Sequence, residues 1–162
     1  QEFFRARLEA LLEDRGHAYD AVDAVLSSGF SNVAALPGRL AALETFRASA
    51  AFLVAYPALN RVLRILPDGV DAHGPPKEAL FQDDAERDLA RVAQDDALAS
   101  AALEDLTSAL ASMQPQIDAF FDAVLVMDTD DAVRNNRLAL LSVIGRRTLR
   151  LGDITKLVIA GE

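Results

Sequence analysis

Apolar residues recur at three- and four-residue spacing from one end of this chain to the other, and no stretch shows a defensible strand alternation. Such a pattern confines the chain to helices packed on helices, because each apolar stripe must be buried against a neighbouring element. The composition agrees: 51% of residues are hydrophobic, alanine and leucine dominate, and β-branched residues are thinly spread. A chain of 162 residues buries roughly 70% of its unfolded surface, enough for a real core. The absence of cysteine excludes a disulfide, a thiolate metal site and a cysteine nucleophile. No apolar run approaches the roughly 20 residues that span a bilayer, and the first residues lack a signal-peptide pattern, so a cytoplasmic protein is expected. Residues 1–14 read as a helix already under way, which suggests a piece of a longer polypeptide.

The expected architecture is all-α, a helical bundle of about seven to eight helices in one domain over 1–162. Helices are expected over 2–14 and 19–26, stopped by Gly16 and Gly29. A third runs over 32–46, with Ser31 as its N-cap and a kink at Pro37-Gly38, and a fourth over 48–66, kinked at Pro57. The glycine- and proline-rich stretch from Pro67 to Pro76 is the one irregular segment, so a hinge between two helical halves, if there is one, falls at 67–79. Beyond it, Asp83 and Glu86 form a capping box for a fifth helix to about residue 93. Further helices are expected over about 95–113 and 116–127, the latter with Pro115 in its first turn, and a last long one opens at the 128–131 acidic turn and ends near 149.

The formal charge of -9 is unevenly placed. Residues 68–131 hold sixteen acidic groups against three basic ones, whereas residues 132–156 hold six basic against one acidic. An acidic flank and a basic face can coexist, since salt screens charges beyond roughly 8 Å. On helical wheels, Asn60, Arg61 and Arg64 lie opposite the stripe Phe52, Tyr56, Leu59, Leu63 and Leu66. Arg146, Arg147 and Arg150 project away from Leu138, Leu141 and Ile144, free to meet phosphate. Arg137 faces inward and is expected to be a structural pin to Asp122 or Asp128, because an unpaired buried charge costs several kcal/mol. Tyr19 and Tyr56 are the candidate rings for stacking at a surface, with tyrosines at the edge of the core as the alternative reading. Asp128, Asp130 and Asp131 do not fit a calcium loop, since Val133 stands where the turn glycine is needed and Ala139 where the bidentate glutamate belongs. His17 and His73 have no partner at ligand spacing. No catalytic constellation and no metal site is expected, and the residues alone leave open whether the arginine faces bind RNA or form an ordinary solvated surface.

Longer motifs carry a resemblance. Phe120-Phe121-Asp122-Ala123-Val124-Leu125-Val126-Met127, followed by Arg134-Asn135-Asn136-Arg137-Leu138-Ala139-Leu140-Leu141, resembles the close of the bacterial glycyl-tRNA synthetase β subunit, where FFDxVxVM precedes RxNRLxLL. Arg150-Leu151-Gly152-Asp153-Ile154-Thr155-Lys156-Leu157 is similar to that family's RxADxxKL tail, and residues 19–26 are similar to its YDxxDAVL segment. This sequence departs at Asn60, where the family usually has lysine, at Arg64, where it has asparagine, and at Gly152, where it has alanine. The resemblance implies a DALR-like helical anticodon-binding fold, shared with arginyl-tRNA synthetase. It implies recognition of the anticodon arm of glycine tRNA, with Asn60, Arg61, Arg64, Arg134, Arg146, Arg147 and Arg150 as candidate contacts. The parent would be an α2β2 glycine-tRNA ligase that uses ATP and Mg2+ on its α subunit, and this segment would hold no cofactor and meet neither membrane nor DNA. A helical domain that docks mainly on the rest of the synthetase is the alternative.

Overall fold

The computed structural model describes residues 2–159, which contain eight α-helices and no strand. They are α1 (Glu2–Asp14), α2 (Tyr19–Ser27), α3 (Leu36–Arg47), α4 (Ala50–Ile65), α5 (Asp84–Ala93), α6 (Leu103–Ser112), α7 (Gln114–Ala123) and α8 (Asp131–Leu149). Short 3-10 turns occupy Val33–Ala35, Glu78–Leu80, Asp96–Ala99 and Ile154–Lys156.

Capping chemistry explains most of the boundaries. Ser49 accepts from the Phe52 amide to start α4, and Asp130 accepts from the Ala132 and Val133 amides to start α8. At α5 the expected capping box is complete: Asp83 takes the Ala85 amide, while Glu86 reaches back to the Gln82 and Asp83 amides. Gly16 and Gly29 adopt positive φ where α1 and α2 end, a conformation open to glycine at little cost.

Helix α4 runs through Pro57 as the one long helix expected there. Two expectations change in detail. Pro37 lies in the first turn of α3 rather than kinking it, as suits a residue with no amide to donate, and Val33–Ala35 form a separate turn ahead of it. The helix expected over 95–113 is divided, with a turn capped by Asp95 and then α6 from Leu103.

Helix α4 lies at the centre, packed against α3, α6, α7 and α8. Its inward residues Phe52, Ala55, Leu59 and Val62 join Leu40, Leu43, Leu106, Leu110, Ile117, Phe120, Leu140 and Ile144 in one core. Helix α5 closes the bundle against α7 and α8, while α1 and α2 pair at one edge. The chain then returns: the Asp153 amide donates to the Ala24 carbonyl at 2.7 Å. A Cβ on Gly152 would stand 3.2 Å from the Ala24 carbonyl carbon, so glycine suits this crossing of two backbones.

Candidate nucleic-acid interface

The arginines of α8 fall into two groups. Arg137 is buried, and its fan of donors meets four acceptors: Glu86 (3.0 Å), the Leu125 carbonyl (2.9 Å), Asp128 (2.9 Å) and Gln82 (3.3 Å). It is the expected pin, and Asp128 is one of its partners. Asp122 is not, because its side chain lies on the exposed side of α7; the deeper partner is the fully buried Glu86. The hydrogen bond donated by the Asp130 amide, opposed by burial and helped to a lesser degree by Arg137, holds the Asp128 carboxyl below its usual range. The acidic turn is thus committed to capping and pinning.

Arg146, Arg147 and Arg150 are not free, which corrects the wheel-based expectation. Arg146 donates to the Val70 carbonyl, Arg147 to that of Asp95, and Arg150 to those of Leu98 and Ala101, all at 2.7–2.8 Å. Arg147 is only 8% exposed, and its burial lowers its pKa from the ordinary arginine value. The physical reason is that two irregular segments, 67–77 and 94–102, wrap the face of α8 that a wheel assigns to water. Their carbonyls lack helical partners, and the several N–H groups of a guanidinium satisfy them. Arg134 is likewise engaged, by the Asp128 carbonyl and the Asp131 carboxylate.

The α4 face presents a different picture. Arg61 and Arg64 are exposed, and among the described residues neither has a carboxylate within ion-pair distance. Arg64 donates to Asn60 Oδ1 at 3.1 Å, which aligns two of the candidate residues one helical turn apart. The Arg61 guanidinium lies 4.0 Å from the centre of the Phe121 ring, a contact that joins α4 to α7 and that no spacing argument could have revealed. The structure therefore brings Asn60, Arg61 and Arg64 together at the surface, whereas Arg134, Arg146, Arg147 and Arg150 are each hydrogen-bonded to backbone carbonyls. Of the two tyrosines, Tyr19 is exposed, whereas Tyr56 is buried against Phe52. Among the described residues no group of three or more histidine, aspartate or glutamate side chains is placed to hold a metal ion.

The described residues thus form an all-helical bundle in which α4 presents two exposed arginines without carboxylate partners, a feature suited to an anionic partner. Residues 58–153 match the DALR anticodon binding domain, and the chain belongs to that family. It is also similar to glycine–tRNA ligase β subunits: 44% identical over 165 residues to that of Trichlorobacter lovleyi, 42% over 163 residues to that of Geobacter metallireducens, and 34% over 165 residues to that of Desulforamulus reducens. These alignments cover 96–98% of this chain and 23–24% of each relative, so the chain spans about a quarter of the length of the curated relatives it matches.

Proposed function

We propose that this chain recognises the anticodon arm of glycine tRNA as part of a glycine–tRNA ligase β subunit. The observation that carries the reading is the α4 face: Arg61 and Arg64, both inside the matched family segment, are exposed and free of carboxylate partners among the described residues. Guanidinium groups in that state can take phosphates and unpaired base edges. Glycylation itself would occur on a separate α subunit in an α2β2 assembly, with ATP and Mg2+ bound there, in the cytoplasm. The role of this chain is to hold one end of the RNA so that the distant acceptor end is oriented.

The test compares binding of the full polypeptide to glycine tRNA and to the same tRNA with an altered anticodon, at fixed salt. Weaker binding of the altered RNA is expected. In addition, Arg61→Ala with Arg64→Ala should make the salt dependence shallower by about one to two in logarithmic slope, as phosphate contacts are lost. Equal affinity for both RNAs, with an unchanged slope in the double variant, overturns the reading.

A second role is favoured by the outer face of α1, where Phe3, Phe4 and Leu11 are exposed with Tyr19 nearby at the start of α2. An apolar surface of that kind suits contact with other protein, as in a domain docked within a larger synthetase.

A further inference from the structure

Between α7 and α8 the chain leaves the helix at Val124, which is extended, and turns at 126–127, where the sequence predicts a helix continuing to Met127. Val124 and Val126 point inward at 9% and 4% exposure, and Leu125 and Met127 point outward at 67% and 50%. No strand pairs with this segment among the described residues. Its shape is held instead by Arg137, which takes the Leu125 carbonyl with one nitrogen and reaches Asp128 with the same nitrogen. Two large apolar side chains are therefore kept in water by a buried ion-pair network, at a hydrophobic cost that folding alone does not require.

They follow closely on Phe121. Leu125 is four residues further on, within about 14 Å by chain reach. Phe121 is itself buried, edge-on to Phe120 at 5.5 Å, and the exposed Arg61 places its guanidinium carbon over the ring, 4.0 Å from the centre. The ring covers one side of the side chain, and Arg61 as a whole remains exposed. Resting on this proposed RNA-binding role, we infer that Arg61 on Phe121, together with Leu125 and Met127, forms a stacking strip for unpaired nucleobases. A guanidinium plane held on an aromatic ring offers a flat surface to a base, and exposed leucine and methionine side chains offer apolar contact of the kind bases lose when they leave water. Charge sorts the strand across the strip. Arg64 stands one turn along α4 on the side where phosphates would run, while Asp118 and Asp122 are exposed on α7, where a phosphate would be repelled. Bases meet the strip, and the backbone keeps to the Arg64 side.

The experiment places 2-aminopurine at successive anticodon-loop positions of the glycine tRNA and measures fluorescence and affinity with the full polypeptide. The variants are Arg61→Lys, Leu125→Ser and Met127→Ser. Binding to the unaltered protein should quench at least one probe position. Arg61→Lys keeps the positive charge and removes the plane, so affinity should fall about five- to a hundredfold with the quenching lost and the salt slope unchanged. The serine variants should weaken binding by about three- to tenfold each. If Arg61→Lys binds and quenches like the unaltered protein, Arg61 acts as a point charge and the strip is wrong. If the serine variants leave RNA affinity unchanged but lower the melting temperature of the full polypeptide, the patch is covered by protein and the inference also falls. Failure of anticodon discrimination by the unaltered protein would remove the recognition reading alone, because quenching still reports whether bases stack here.

Discussion

Arg137 shows how far residue-level reasoning reaches. Its position on an apolar stripe of α8 requires a buried partner, and the sequence makes Asp128 visible as one because it lies nine residues away at the helix start. Glu86 was legible only as a cap. It serves both purposes at once, with one oxygen on the Gln82 and Asp83 amides and the other on Arg137, and a pairing across 51 residues leaves no local spacing to read. Removing the guanidinium strands a fully buried carboxylate, so Arg137→Ala should destabilise the chain by about 3–5 kcal/mol. Arg137→Lys should recover little, since an ammonium cannot reach four acceptors spread around a plane. Adding Glu86→Gln to Arg137→Ala should restore part of the loss, because the stranded charge is gone. Urea unfolding of the single and double variants measures this, and strictly additive effects would show that the two residues do not act as a pair.

At the level of helices, apolar periodicity located every long element, and its errors have a common origin. A wheel compares residues within one helix and knows nothing of loops that cross it. The α8 arginines looked solvated because the wheel carries no information on segments 67–77 and 94–102, which lie on α8 through carbonyl groups. Likewise the end of α7 was placed too late, because Val124 continues the helical stripe of Phe120 and Phe121 although its backbone is already extended. The strap over α8 also depends on Gly145, a residue that sequence reasoning passed over. A Cβ there would sit 2.6 Å from Val70 Cγ1 and 3.3 Å from Leu66, at the place where Arg146 holds the Val70 carbonyl. Asn136 ties the same segment further along, bonding both the amide and the carbonyl of Lys77. Gly145→Leu should therefore lift the strap and cost about 1–3 kcal/mol through overpacking, only partly offset by roughly 1 kcal/mol of helix propensity. Gly145→Ala should fall between the two. A leucine variant with an unchanged urea midpoint would mean that the strap yields freely.

Across the whole molecule, stability depends on carboxylates that must stay charged, and this gives the acid limb a definite direction. Asp20 is buried where α2, α3 and the returning chain meet, bonded to Arg47 and to the amides of Ala21 and Val158. Burial pushes its pKa up, but the Arg47 hydrogen bond, the two amides and the Arg47 charge together outweigh it, so the carboxyl is held below its usual value. Asp128 is lowered as well. In the unfolded chain both groups return to about 3.9, so over this range the unfolded state binds more protons and stability rises with pH. Their contribution is complete above about pH 5 and is lost progressively as pH falls below about 4 through the folded values. The net charge of -9 works in the opposite sense, since protonation of the crowded acidic flank relieves repulsion, but those groups are largely exposed and their interactions are screened at physiological salt. The melting temperature in 0.15 M salt should accordingly hold steady from pH 7 to 5 and drop below about pH 4. Asp20→Asn should melt lower than the unaltered chain at neutral pH, and the gap should narrow as pH falls below about 4 and the Asp20 carboxyl takes up a proton. A gap between the two that stays constant down to pH 3 would show that Asp20 stabilises by shape and hydrogen bonding alone, with its charge contributing nothing.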